Sequence, residues 1–236
     1  MLNFLKNILK SNTLIFKIFK IFKDYLNLRK NLKNIKGQVV EEDIKLELEK
    51  IISNNKVKNI VEIGTWNGLG STKMIIDLIQ TQDKKINFIS LEANKLCFKT
   101  ARKNLKEFTN DVNLLLGRVH DLNDLDYVNR KIIFNYGYGE KEYGWFIRDL
   151  KIYKKTNNLV NKLPSSIDIL FLDGGEFSTY ADFLKLYKRS KYIVLDDTNT
   201  FKQDHVLKYI TQRHSSFKEI YSSNLRNGLK IYKNFV

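Results

Sequence analysis

The sequence predicts a doubly wound α/β domain around a mostly parallel sheet of seven strands, and three observations lead to this prediction. Strand-like apolar runs alternate with segments of helical periodicity along most of the chain. The central runs, such as 167–172 and 192–195, are largely apolar throughout, as in parallel strands covered on both faces. The Asn-Gly pair at 227–228 favours a tight turn, which predicts a C-terminal antiparallel hairpin.

The predicted elements begin near residue 41. Helices are predicted at about 41–53, 71–81, 95–107, 178–188 and 202–213. Strands are predicted at 58–63, 86–92, 112–117, 167–173, 191–196, 217–222 and 228–233. This gives a main domain at 39–236, in which the longer irregular passage at 121–166 is interpreted as an insertion that caps an acceptor site.

Composition sets outer limits on the class of protein. A chain of 236 residues with 43% hydrophobic and 28% charged residues suits one substantial globular domain with an appendage. The single cysteine, Cys97, excludes an internal disulfide framework and favours a reducing, cytoplasmic location. The formal net charge is +15, but the chain is rich in Lys, Asn and Ile throughout, so lysine content by itself indicates little about function.

Residues 1–38 form a predicted basic helical arm with nine basic side chains against one acidic side chain, a net charge of +8. Lys17, Lys20 and Lys23 share one side of an amphipathic helix, and no uncharged run reaches the roughly 18 residues of a spanning helix. Three interpretations stay open. The arm packs on its own domain, packs on a second copy in a homodimer, or lies peripherally on a membrane surface.

The most specific local signal follows the first predicted strand. There Glu62 ends an apolar run, glycines follow at 64, 68 and 70, and a helix begins near Ser71. Glycine accepts positive φ and lets backbone approach a ligand closely, and a helix N-terminus offers free N–H donors. The acid beside these donors disfavours phosphate and suits a cationic or hydroxyl-rich ligand.

The second predicted strand ends at Glu92, where a carboxylate of a doubly wound fold grips ribose hydroxyls. A nicotinamide site requires G-x-G-x-x-G with an acid about 20 residues later. The glycines here have a different spacing, and the interval from Gly64 to Glu92 is longer. An alternative interpretation is that Glu62 and Glu92 merely cap neighbouring helices.

The acid, the glycine loop and the second acid together resemble the first motifs of class I S-adenosylmethionine-dependent methyltransferases. The resemblance implies a Rossmann-like fold and S-adenosylmethionine as cofactor, with adenine bordered by residues just past the third strand. Residues implied to contact the cofactor are Glu62, Gly64, Thr65, Trp66, Gly68, Ser71, Glu92, Arg118 and Val119.

Three carboxylates follow the fourth and fifth predicted strands: Asp173, Asp196 and Asp197. Consecutive parallel strands bring their tips to the same edge of the sheet, where ligands of open α/β sheets bind. Converging carboxylates repel one another unless a cation or protons intervene, and oxygen-only ligands favour Mg²⁺, Ca²⁺ or Mn²⁺. The alternative is that these side chains cap the helices that follow them.

The segments at 172–179 and 195–197 resemble metal-dependent O-methyltransferases that act on sugars of glycans or macrolides. This resemblance implies Mg²⁺ or Mn²⁺ on Asp173, Asp196 and Asp197, and a hydroxyl of a sugar or glycan precursor as acceptor. Position 175 is glycine where that group often has an aspartate as proposed general base. Asp173 and Glu176 are therefore the candidates for taking the proton.

The insertion carries aromatic residues beside glycines, as in 134–146, which predicts either the walls of an acceptor pocket or the core of a cap. Two other functions are alternatives to methylation of a small-molecule or glycan acceptor. The positive charge suits a nucleic-acid methyltransferase, but it concentrates in the arm, and no Asn/Asp-Pro-Pro-aromatic motif is present. The other is a membrane-tethered binding module that retains the fold without turnover.

Overall fold

A computed structural model describes residues 42–54 and 56–236, and the basic arm predicted at 1–38 lies outside the described residues. One seven-stranded sheet runs through this part of the chain in the order β3-β2-β1-β4-β5-β7-β6. Its strands are β1 (Asn59–Ile63), β2 (Asn87–Glu92), β3 (Asn113–Leu116), β4 (Ile167–Leu172), β5 (Ser190–Asp196), β6 (Phe217–Ser223) and β7 (Leu229–Asn234).

The first five strands are parallel, and β7 runs antiparallel to both of its neighbours, β5 and β6, as expected for the C-terminal hairpin that the sequence predicts. Strand β1 lies between β2 and β4, so the chain order reverses at the middle of the sheet. Ligands of open α/β sheets bind at such a switch point, beyond the carboxyl ends of the strands. The predicted C-terminal antiparallel hairpin is confirmed, but its connection is longer than a tight Asn-Gly turn, because the turn from Leu225 to Gly228 closes it with positive φ at Arg226 and Gly228.

Helices cover both faces of the sheet. They are α1 (Glu42–Asn54), α2 (Ser71–Gln80), α3 (Lys95–Asn104), α4 (Arg130–Asn135), α5 (Glu140–Tyr153), α6 (Thr179–Leu186) and α7 (Phe201–Thr211). One buried cluster joins α1 and α2 to alternate residues of the strands, such as Ile60 and Phe171, and a second joins α6 and α7 to the intervening ones, such as Val61 and Leu170. This two-sided burial explains why the central strands are apolar throughout.

The 121–166 passage is more regular than the sequence suggests, because it contains the helices α4 and α5. A separate buried cluster unites Val128, Ile133 and Phe146 of this passage with Phe177 and Phe201. The passage thus packs against the loop that follows β4 and against the first residue of α7. Within the described residues, no helix is long and apolar enough to cross a membrane.

Candidate active site

The loops that follow β1, β2, β4 and β5 meet at the carboxyl edge of the sheet. Two backbone hydrogen bonds join these loops. The N–H of Asp173 donates to the carbonyl of Ile63 at 2.9 Å, and the N–H of Gly64 donates to the carbonyl of Leu91 at 2.8 Å. The glycine loop after β1 therefore lies between the end of β2 and the acidic residues after β4.

The glycine loop has a backbone that side chains would obstruct. Gly64 has φ 103°, and a Cβ there would lie less than 3.0 Å from the carbonyl of Asp173. Trp66 also has positive φ, at 50°. Thr65 is buried beneath the loop, where its hydroxyl is 2.6 Å from that of Ser90. The loop is thus held in an uncommon conformation with backbone next to the site.

Glu62 lies beneath this loop rather than at its surface. Its side chain is 0% exposed and accepts hydrogen bonds from the hydroxyls of Ser71, Thr72 and Ser90 at 2.5 to 2.7 Å. Burial raises the pKa of this carboxyl to about 7, although the three hydroxyls act in the opposite direction. Glu62 joins β1, β2 and the first turn of α2, and its contact with a cofactor stays a prediction.

Glu92 is arranged differently, because it is only partly buried at the tip of β2. One carboxylate oxygen accepts the N–H of Trp66 at 2.8 Å, and the other accepts the N–H of Asn94 at 2.7 Å. Burial raises the pKa of Glu92 to about 7. The backbone N–H of Ala93 also points at this carboxylate. Because a carboxylate offers about four lone-pair positions, Glu92 keeps the capacity to accept a further hydroxyl.

The residues after β3 are mostly engaged with the protein. Arg118 donates to the carbonyls of Tyr153 and His120, and Val119 is fully buried. His120 is buried with Nδ1 2.7 Å from the Asp182 carboxylate, which agrees with a structural role for this histidine. The predicted adenine border at Arg118 and Val119 is thus built into the wall of the fold, and its contact with adenine stays a prediction.

The three predicted carboxylates do come together. One carboxylate oxygen from each of Asp173, Asp196 and Asp197 lies within 4.8 Å of the other two. The backbone of Asp197 has a positive φ of 59°. Burial, together with the neighbouring charge of Asp173, raises the pKa of Asp196 to about 8. Despite its own burial, Asp197 has a lowered pKa because Lys202 stands beside it. The convergence predicted from the strand order is confirmed.

Lys202 was not among the residues predicted from the sequence, yet its ammonium lies among these carboxylates. Nζ is 2.6 Å from Asp173 Oδ1, 2.9 Å from Asp197 Oδ2 and 3.9 Å from Asp196 Oδ2. The side chain is only 4% exposed. A usable signal was present, since Lys202 falls in the first turn of the helix after the paired aspartates. The abundance of lysine in this chain obscured it.

The loop after β4 explains the glycine at position 175. A Cβ on Gly175 would lie less than 3.0 Å from the hydroxyl of Tyr153, which donates to Ser178 at 3.1 Å. Tyr153 of α5 therefore occupies the space that an aspartate at this position would need. The next residue, Glu176, accepts a hydrogen bond from the hydroxyl of Tyr138 at 2.7 Å, and burial raises its pKa.

Three solved structures share this architecture. An O-methyltransferase from Bacillus cereus in complex with S-adenosylhomocysteine has 16% identity and a TM-score of 0.54, with 88% of this chain and 90% of that chain covered. The S-adenosylhomocysteine-bound methyltransferase PaMTH1 of Podospora anserina has 12% identity and a TM-score of 0.51, with 91% and 96% covered. The S-adenosylmethionine-bound O-methyltransferase TomG of Streptomyces achromogenes, involved in tomaymycin synthesis, has 14% identity and a TM-score of 0.51, with 84% and 82% covered.

The fold is that of the class I S-adenosylmethionine-dependent methyltransferases. No protein-family model matches the chain, and no curated protein matches it. Sequence identities of 12 to 16% establish a shared fold and do not identify the ligands or the reaction.

Within this methyltransferase fold, the aromatic residues of the insertion divide into two groups. Phe146 belongs to the buried core of the insertion, and Tyr138 and Tyr143 pack against that core. Phe134, Tyr136 and Trp145 are 36 to 44% exposed. The prediction of a cap with its own core therefore fits the first group, and the second group leaves aromatic surface available on the same cap.

Proposed function

We propose that this protein is an S-adenosylmethionine-dependent O-methyltransferase that acts on a hydroxyl of a sugar or glycan precursor. One observation carries the proposal. The glycine loop and Glu92 on one side, and the acidic cluster after β4 and β5 on the other, meet at the switch point of a methyltransferase fold. Such a crevice suits a nucleoside donor on one side and a hydroxyl acceptor on the other.

The residues fit the proposed cofactor in their chemistry. Glu92 keeps acceptor capacity for ribose hydroxyls, and the loop from Gly64 to Gly70 would receive the methionine portion. Thr65, Trp66, Gly68 and Ser71 belong to this loop or begin its helix, and Arg118 and Val119 would border adenine. When bound, S-adenosylmethionine supplies a methyl group on a positively charged sulfur, which an oxygen nucleophile can attack.

The acceptor hydroxyl is a weak nucleophile at neutral pH, so the protein must accept its proton as the new bond forms. Asp173 and Glu176 are the candidates, and both lie on the loop after β4. The raised pKa of Glu176 favours it as a base, because a base works best when its pKa is close to the working pH. Tyr138 fixes the direction of the Glu176 carboxylate through its hydrogen bond.

The class of acceptor is supported by the surroundings of the crevice. Carboxylates bind sugar hydroxyls, and the exposed ring of Tyr136, which lies against Phe201 at the start of α7, offers a flat apolar surface for a sugar face. Tyr136 donates to Asp204 of α7, which keeps this part of the insertion beside the helix that carries Lys202.

The predicted Mg²⁺ or Mn²⁺ on Asp173, Asp196 and Asp197 stays a prediction. The three donor atoms are close enough for one ion, and their oxygen-only chemistry suits these metals. The ammonium of Lys202, however, already forms hydrogen bonds to two of the three carboxylates.

Methyl transfer tests the proposal directly. The full chain is incubated with S-adenosylmethionine labelled in the methyl group and with a panel of sugars, nucleotide sugars and RNA. We expect label in an O-methyl ether of a sugar-containing acceptor. Label found in RNA alone, or absence of binding of both S-adenosylmethionine and S-adenosylhomocysteine, would contradict the proposal.

A further inference from the structure

Lys202 is held firmly in the acidic cluster. The next residue, Gln203, is 0% exposed and donates from Nε2 to the carbonyls of Leu172 at 3.1 Å and Asp196 at 2.8 Å. These carbonyls end β4 and β5, so Gln203 fixes the start of α7 to both strand tips. Phe201, on the other side of Lys202, is buried in the core that the insertion shares with α7. The Lys202 side chain therefore projects from an anchored turn.

The position of the ammonium is also the position of a cation shared by the three carboxylates. Nζ lies within hydrogen-bond distance of Asp173 and Asp197 and 3.9 Å from Asp196. A divalent ion on these three carboxylates would bind their oxygen atoms at about 2.0 to 2.6 Å and would stand next to the lysine charge. Two cations this close repel strongly, so an ion would have to displace Lys202 from a buried, anchored position.

We propose that Lys202 is the resident cation of this cluster and that the protein works without a divalent metal on Asp173, Asp196 and Asp197. The part of this inference that concerns catalysis rests on the proposed function, whereas the identity of the cation does not. Lys202 acts as a positioning residue, because its charge offsets the repulsion among the carboxylates and orients Asp173. Proton transfer from the acceptor then depends on protein carboxylates alone.

Binding of Mn²⁺ to the full-length protein, followed by calorimetry and by the electron paramagnetic resonance signal of the free ion, tests the proposal. We expect no saturable site in the wild type. Lys202→Met, in which the carboxylates lose their counter-charge, should gain a saturable site at least about tenfold tighter than any residual Mn²⁺ binding of the wild type. Adding Asp197→Asn to Lys202→Met should abolish that binding. Lys208→Met is the matched control, since Lys208 is exposed on the same helix, and it should behave as wild type.

Each outcome bears on Lys202. A saturable Mn²⁺ site in the wild type that Asp197→Asn removes would overturn the proposal, as would a folded Lys202→Met that gains no Mn²⁺ affinity. If Lys202→Met does not fold, the Mn²⁺ titrations of the wild type and of Lys202→Arg decide. Lys202→Arg keeps a cation, so it should bind no Mn²⁺ either. Titration of S-adenosylhomocysteine into the same samples tests the proposed function separately, and its failure would leave the Mn²⁺ result intact.

Discussion

At the scale of single residues, two glutamates at the tips of neighbouring strands have different tasks. Both carboxylate oxygens of Glu62 accept hydrogen bonds, from three hydroxyls beneath the loop. Glu92 accepts hydrogen bonds from backbone N–H groups and stays partly exposed. The sequence predicts that Glu62 contacts the cofactor. In the structure its carboxylate holds the glycine loop in place from beneath. The two residues should respond differently to substitution.

Replacement of Glu92 should weaken cofactor binding. Glu92→Gln removes the charge and places an amide donor where N–H groups already point. Loss of a charged hydrogen bond costs roughly 1.5 to 3 kcal/mol, or about 10- to 150-fold in affinity. Calorimetric titration with S-adenosylhomocysteine measures this. Glu107→Gln, an exposed control, should bind as wild type does. Unchanged affinity of a folded Glu92→Gln variant would remove Glu92 from the site.

Glu62 should make stability depend on pH. Its pKa is about 7 in the folded protein against 4.5 ordinarily, so the folded state holds a proton that the unfolded chain releases between these values. Stability from this group is therefore full below about pH 4.5 and lost as pH rises through about 7, by on the order of 3 kcal/mol at most. Glu62→Gln should lose this slope, as measured by urea unfolding at several pH values. Glu107→Gln should keep it, and an identical slope in Glu62→Gln would contradict the assignment.

At the scale of elements, the insertion and the loop after β4 are coupled through one tight contact. Tyr153 near the end of α5 leaves no space for a Cβ at Gly175. Gly175→Ala should therefore destabilise the protein by about 1 to 3 kcal/mol through overpacking. Removing the hydroxyl with Tyr153→Phe should relieve this, at the cost of about 1 kcal/mol for the bond to Ser178.

A double-mutant cycle in urea unfolding measures that coupling. The double variant should be more stable than the sum of the single effects by about 0.5 to 3 kcal/mol, as expected for side chains in contact. Gly144→Ala is the control, because a Cβ at Gly144 meets nothing within 4 Å. Strict additivity in the cycle would show that Tyr153 is not the obstacle at position 175.

The same contacts show which features the sequence could reveal. Local periodicity predicts the strand bounds and the antiparallel hairpin. The order of the strands along the chain predicts that Asp173 and Asp196 come together. The close approach of Tyr153 to Gly175 and the ion pair of Lys202 with Asp173 join residues 22 and 29 positions apart. Such contacts depend on how helices pack, and no local pattern encodes them. The helices within 121–166 were missed because glycines and polar residues interrupt their periodicity.

At the scale of the whole molecule, the proposed cofactor site lies where the two halves of the sheet meet. Its walls are the loops after β1 and β2 on one side and the segment after β4 on the other, linked by the bond from Asp173 N–H to Ile63. A ligand that binds here contacts groups from several elements in the folded state and finds no such arrangement in the unfolded chain. Binding should therefore stabilise the domain as a unit.

Thermal unfolding with added nucleosides measures this linkage. At a hundredfold excess over its dissociation constant, S-adenosylhomocysteine should add about 2.7 kcal/mol, which corresponds to a rise in Tm of roughly 5 to 10 °C for a domain of this size. NAD⁺ should give no shift, because the loop lacks the glycine spacing of a dinucleotide site. Glu92→Gln should show a much smaller shift at the same S-adenosylhomocysteine concentration. A rise in Tm with NAD⁺ but not with S-adenosylhomocysteine would mean that the crevice binds a dinucleotide, and the methyltransferase proposal would then fail.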